Sequence, residues 1–137
     1  MLYIGIDPGV NTGLAVWDGH RFTEVVTASI VGAMRIILQY AAEHPVTLVV
    51  EDARKRKYLP RERSNAEYRG RLMGAGSVKR DCAIWEEFAA YYDILIEMPA
   101  PRPGLTKWDA AYWEKVTGWK GRTSNHARDA AMLVFGK

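Results

Sequence analysis

Three carboxylates and one imidazole in this 137-residue chain stand where backbone geometry would gather them. Asp7 closes an alternating apolar run, Leu2–Asp7 (LYIGID), directly before Pro8-Gly9. Glu51 closes a second apolar run, rich in β-branched residues, directly after Val49-Val50. Asp129 falls in the first turns of what reads as the last helix, three positions after His126 and therefore on the same flank. Sites in open α/β sheets collect at the carboxyl ends of strands. If the first strand and the strand ending at Glu51 are neighbours, Asp7 and Glu51 face each other. Carboxylates converging there repel unless a cation neutralises them. Hard oxygen donors select Mg²⁺ or Mn²⁺, and two such ions about 3.5–4 Å apart can activate a water, clamp a phosphate and stabilise a leaving oxygen. The chemistry expected of this set is phosphodiester hydrolysis with Asp7, Glu51 and Asp129 as metal-binding catalytic carboxylates. The plain alternative is three unrelated surface acids at element ends, common for any one of them and much less so for three in this order.

The elements that must position these residues follow from the apolar pattern. Leu2–Asp7 reads as a strand, the cluster Pro8, Gly9, Asn11, Gly13 as a turn, and 14–17 as a second strand. Asp18-Gly19 is a hairpin signal that leads into a third strand over 22–29, which completes an antiparallel meander. Residues 31–44 lack breakers until Pro45, and Met34, Ile37, Leu38 and Ala41 recur at helical spacing. The run 46–51 (VTLVVE) is typical of a buried parallel strand. A basic loop or helix start over 54–63 precedes Ser64, which with Glu67 forms a capping-box pattern. A helix is expected from there to about Met73, a break or close packing at Gly74/Gly76, and a further helix over 78–92. Residues 93–98 (DILIEM) read as a strand ended by Pro99, Pro101 and Pro103, 107–116 as a helix stopping at Gly118, and Ser124 or Asn125 as the cap of a last helix through Phe135. The order β-β-β-α-β-α-β-α-α implies one α/β domain over 1–137: a mixed five-stranded sheet, antiparallel in its first three strands and then parallel, flanked by helices.

Composition narrows the class. Hydrophobic residues make up 48% of the chain, enough for a buried core. No apolar run approaches the roughly 20 residues that span a bilayer, and the start of the chain lacks the pattern of a signal peptide. The lone Cys82 excludes an intramolecular disulfide and gives no metal-site spacing. A cytoplasmic protein is expected. Net charge is only +3, yet between positions 54 and 80 ten Lys/Arg face two acids, so the rest of the chain is net negative. A basic block in a mildly acidic protein points to a polyanionic partner, although such a run by itself reads equally well as a solvated surface.

Three patches carry a family resemblance. Ile4-Gly5-Ile6-Asp7-Pro8-Gly9 with Thr12-Gly13 resembles the first-strand signature of RuvC-type Holliday-junction resolvases, and Leu48-Val49-Val50-Glu51 looks like their second acidic strand. Lys115-Val116-Thr117-Gly118, a Gly/Arg-containing turn and Asn125-His126-Ala127-Arg128-Asp129-Ala130 are similar to their last third. The resemblance implies an RNase H-like fold, a homodimer, and paired nicking of four-way DNA junctions by two Mg²⁺ (or Mn²⁺) ions per active site, leaving 5′-phosphate and 3′-hydroxyl ends, with no membrane and no nucleotide cofactor. Carried over by position, Asp7, Glu51 and Asp129 would bind metal. His126 stands where the family has an additional acid or histidine, and would ligate metal or protonate the leaving 3′-oxygen; a capping or surface histidine is the alternative. Two departures stand out: Asp7 and Glu51 are only 44 positions apart, a trimmed spacing that would suit a phage or mobile-element enzyme, and the aromatic residue sought soon after the second acid is displaced to Tyr58. Tyr58 is either a base-stacking wedge or an ordinary interface tyrosine.

Arg54, Lys55, Arg56 and Lys57 follow Glu51 and are expected to contact phosphate beside the metals, with Arg61 and Arg63 next and Lys107 and Lys115 as further candidates. Met73, Ala75, Val78, Cys82 and Trp85 form a stripe that is either core or a two-fold interface; Trp108, Trp113 and Trp119 line core or groove. Other readings stay open: an RNase H-like nuclease for RNA–DNA hybrids or flaps; an actin-like ATPase or sugar-kinase fragment, since Gly5-Ile6-Asp7-Pro8-Gly9 with Thr12-Gly13 also resembles that superfamily's first phosphate loop; and a DNA-binding module without catalysis.

Overall fold

A computed structural model of the chain describes residues 1–55, 65–101 and 108–137, and for 65–75 the backbone alone. The first three strands, β1 (Leu2–Asp7), β2 (Thr12–Trp17) and β3 (Phe22–Ala28), form the expected antiparallel meander. The turn between β2 and β3 is closed by Asp18, whose Oδ1 accepts the backbone N–H groups of His20 and Arg21 at 2.8 Å each, the local bond that makes Asp a turn residue. These two bonds hold the Asp18 carboxyl below its ordinary value. Helix α1 (Ile30–Ala41) starts at Ser29, whose hydroxyl accepts from the Gly32 N–H at 3.0 Å. It carries the chain over the sheet to β4 (Val46–Val50), which pairs parallel to β1. A 3₁₀ turn (Ala53–Lys55) follows, then the long α2 (Asn65–Tyr91), and β5 (Leu95–Glu97) parallel to β4. Helices α3 (Ala110–Thr117) and α4 (Asn125–Met132) close the described chain. The sheet order is β3-β2-β1-β4-β5, antiparallel on one side of β1 and parallel on the other.

Strand alternation divides the interior in two. Even-numbered Ile4, Ile6, Leu14, Val16, Leu48 and Val50 pack with Ala33 and Ile37 of α1 and with Trp85, Phe88 and Ala89 of α2. On the opposite face Ala15, Trp17, Val25 and Val49 meet Trp113 of α3 and Ala127, Ala130 and Ala131 of α4, with Val134 just beyond it. Trp17 and Phe22 stand edge to face at 4.9 Å and lead an aromatic group that includes Phe135 and Trp113. The parallel β1/β4 pairing makes strands one and four neighbours, as the carboxylate argument requires.

Several element boundaries differ from the sequence reading. The stretch after Ser64 is one 27-residue helix with no break at Gly74/Gly76, and a Cβ added at Gly76 would meet nothing within 4 Å. A helical glycine costs only about 1 kcal/mol relative to alanine, and the buried face Cys82, Trp85, Phe88, Ala89 anchors the helix against the sheet. Ser64 itself lies outside the described residues. In the proposed interface stripe, Cys82 and Trp85 are fully buried core, Val78 is half-buried, and the side chains of Met73 and Ala75 lie outside the described set. The strand expected over 93–98 shrinks to three residues, and the last helix ends at Met132 instead of Phe135. Trp113 is core, while Trp108 and Trp119 pack half-buried against the same cluster. Among the described residues no helix is long and apolar enough to cross a membrane.

Candidate functional site

The site grows from how α4 lies on the sheet. Register pairs Gly5 with Ala15 and Asp7 with Gly13 across β1 and β2, so both glycines share the face that α4 covers. A Cβ on Gly13 would fall 1.9 Å from the His126 carbonyl oxygen, and one on Gly5 would fall 2.1 Å from that of Ala130. Neither distance is attainable by a real side chain, so helix backbone rests directly on strand backbone at these two points. Ala127, Ala130 and Ala131 complete the close contact. The helix start is fixed separately: Ser124 caps it by accepting the Ala127 N–H at 3.1 Å, and the Ser124 and Thr27 hydroxyls bond each other, tying the cap to β3. Arg128, nine-tenths buried, donates from Nη1 to the carbonyl and hydroxyl of Thr123 at 2.8 Å each and from Nη2 to Asn125 Oδ1. The turn that carries His126 and Asp129 is therefore held by its cap, by Arg128 and by the glycine contacts.

With α4 so placed, His126 Nδ1 lies 2.9 Å from Asp7 Oδ2. The His126 ring is half exposed and the Asp7 side chain 26% exposed. A neutral imidazole then carries its proton on Nδ1 toward the carboxylate, which leaves Nε2 as an acceptor or ligand nitrogen. Glu51 follows β4 directly: Ile6 pairs with Val50, so Asp7 and Glu51 are next in register on neighbouring parallel strands about 4.8 Å apart. Asp129 lies one turn along α4 from His126, half-buried. Among the described residues, no three His, Cys, Asp or Glu side chains stand close enough together to hold an ion as they are. The expected gathering is represented by the Asp7–His126 contact and by adjacency of main chains. The donor set of three carboxylates and an imidazole suits Mg²⁺ or Mn²⁺ in kind.

Three of the basic residues expected to contact phosphate, Arg54, Lys55 and Lys115, lie among the described residues. Arg54 is bonded to two acids, Asp52 and Glu86, and Lys55 Nζ donates to the Met98 carbonyl. Lys115 stands exposed in the last turn of α3. Arg56, Lys57, Tyr58, Arg61, Arg63 and Lys107 lie outside the described residues.

Sequence reasoning named Gly5, Gly13 and Arg128 only within the turn and resemblance patches, without a positioning role, and passed over Asp52 and Glu86. The glycines had a signal: glycine inside a strand marks close backbone approach. Asp52, only 3% exposed, had none, because nothing local distinguishes it from its neighbour Glu51.

The fold defines an α/β domain with an Asp7–His126 pair at the carboxyl end of its central strand. No protein-family model matches the chain, and a search of curated proteins returns no match.

Proposed function

We propose that this chain is an RNase H-like, metal-dependent endodeoxyribonuclease that resolves four-way DNA junctions by paired nicks. The observation that supports it most is the parallel pairing of β1 with β4, after whose last pair, Ile6 and Val50, Asp7 and Glu51 come next in sequence, with His126 against Asp7. Mg²⁺ or Mn²⁺ held by Asp7, Glu51 and Asp129 would supply an activated water and charge neutralisation at the scissile phosphate. The protein's own part is then positional and acid–base. Asp7 orients the imidazole through Nδ1, and the half-exposed ring, when doubly protonated, can give its Nε2 proton to the leaving 3′-oxygen. Cations of the basic block other than Arg54 would hold the DNA backbone without reading sequence. Paired nicks call for two sites related by a two-fold axis, so the active species is a homodimer.

The test is cleavage of labelled four-way junction, linear duplex and RNA–DNA hybrid across a Mg²⁺ and Mn²⁺ titration. Junction should be cut in preference, with 5′-phosphate and 3′-hydroxyl ends. Asp7→Asn should lose cleavage by about a thousandfold or more while junction binding persists, as expected when a metal ligand of the reacting centre is removed. Equal cutting of all three substrates removes the junction assignment, preferential cutting of the hybrid replaces it, and full activity in Asp7→Asn removes the site. Sedimentation as a monomer at micromolar concentration, with and without junction, removes the dimer.

A further inference from the structure

We infer that Arg54 is a positioning residue for Glu51, the centre of an Asp52–Arg54–Glu86 clamp that fixes the end of β4 to α2, and not a phosphate contact. The inference rests on the proposed role of Glu51, and begins from how the Arg54 guanidinium is used. Its Nε and Nη2 donate to Asp52 Oδ1 and Oδ2 at 2.8 and 2.9 Å, a two-pronged grip, while the Arg54 backbone N–H donates to the same Oδ1 at 3.0 Å. Nη1 and Nη2 reach Glu86 Oε1 and Oε2 on α2 at 3.3 and 3.2 Å. Both acids are thus engaged by one planar cation, a geometry lysine cannot reproduce.

Burial makes this arrangement hard to surrender. Asp52 is 3% exposed, and Arg54 is the cation bonded to it. Moving Arg54 to a DNA phosphate would leave a buried carboxylate without that partner, which is strongly unfavourable. The hydrogen bond from Arg54 accordingly holds the Asp52 carboxyl below its ordinary range, and the two acids push the guanidinium upward.

The clamp bears on Glu51 because it grips the residue next to it. On one side, Cys82 Sγ of α2 donates to the Glu51 carbonyl at 3.5 Å. On the other, the Asp52 N–H donates to the Pro99 carbonyl at 2.8 Å. The Asp52 side chain is then locked through Arg54 to Glu86, one turn beyond Cys82 on the same helix. The main chain carrying Glu51 is therefore held between α2 and the segment after β5, at the position where the site needs a carboxylate of fixed placement.

The test uses the full chain with Arg54→Gln, Arg54→Lys, Glu86→Gln and the Arg54/Glu86 double variant. Junction binding is followed against salt in EDTA, cleavage at saturating junction with Mg²⁺, and amide exchange over residues 51–55. Glu86→Gln is the milder change should Arg54→Gln fold poorly. The clamp predicts a wild-type salt slope in every variant, kcat lowered about tenfold with KM little changed, faster exchange at Asp52 and Lys55, and only partial recovery in Arg54→Lys. The double variant should be no worse than Arg54→Gln, because the pair acts as a unit. A phosphate contact predicts instead a slope shallower by about 0.9, full kcat at saturation and good replacement by lysine; that result overturns the inference, as does faster exchange with unchanged kcat. Should the wild-type chain neither bind nor cut any nucleic acid, the nuclease reading fails and amide exchange alone judges the clamp: unchanged exchange in Arg54→Gln overturns it, and faster exchange upholds it.

Discussion

The two faces of the sheet are packed by different means. Toward α1 and α2, large side chains fill the gap: Ile4, Ile6, Leu14 and Leu48 from the strands, Ile37 and Trp85 from the helices. Helix-to-sheet spacing there is set by side-chain volume, which a core can redistribute by repacking. Toward α4 there is almost no side chain between helix and strand, because Gly5 and Gly13 meet the carbonyls of Ala130 and His126. Backbone against backbone has no soft component. Large side chains are buried on both faces, Trp113 and Trp17 among them on the α4 side, but only the α4 contact fixes a helix backbone beside the Asp7–His126 pair.

That contrast can be broken from either side. The largest expected effect is on the α4 face. Gly13→Ala must displace His126 and the helix start; a shift of about 1 Å at a reacting centre can cost a hundredfold in rate, and kcat/KM for junction cleavage should fall by about that much. The accompanying loss of stability should be about 1–3 kcal/mol, as for overpacking elsewhere. Wild-type cleavage in this variant would show that the close contact does not govern the site.

On the opposite face, Ile37→Ala removes fully buried volume from the core between the sheet and α1. Urea unfolding should show a loss of about 3 kcal/mol, while cleavage per folded molecule stays unchanged. An equal loss of cleavage in the two variants would erase the distinction between the faces.

A smaller effect concerns the α2 side of the β4 end. Asp52 has its carboxyl lowered from an ordinary value of 3.8, chiefly by the hydrogen bond from Arg54. With a folded value below the unfolded one, its contribution to stability is present above the unfolded value and is lost as pH falls through the folded value. Denaturant midpoints between about pH 2 and 5 should decline on acidification, and Asp52→Asn should flatten part of that decline while lowering stability at neutral pH. An identical pH profile in the variant would mean that the Arg54 bond does not stabilise the fold.

The smallest effect expected is Ser124→Ala, which removes the α4 cap for about 1 kcal/mol. Because the glycine contacts and Arg128 still hold the helix, cleavage should fall only severalfold. A loss as large as that of Gly13→Ala would transfer control of α4 to its cap.

Local interactions explain why much of this molecule was legible in the amino-acid order. The β2–β3 turn follows from Asp18 bonding its own neighbours and α4 from Ser124 bonding Ala127, whereas Ser29, read as the end of the third strand, is the cap of α1. Strand alternation assigned Ile4 and Ile6 to one side and ended β1 on Asp7. Where the reading faltered, the deciding forces were non-local. Gly74 and Gly76 look like a break, yet α2 continues through both, anchored farther along by Trp85 and its neighbours.

Residue types and spacing by themselves determined the element order, the mixed sheet and which acids could form a site, since caps, turns and apolar periods act within a few residues of chain. Only the tertiary structure decided how close α4 comes to the sheet, that Asp7 meets His126, and that Arg54 is bound between Asp52 and Glu86. The Asp7–His126 and Arg54–Glu86 contacts join residues 119 and 32 positions apart. Such partnerships depend on packing distance and on which charges become buried, and neither is encoded in any short stretch of sequence.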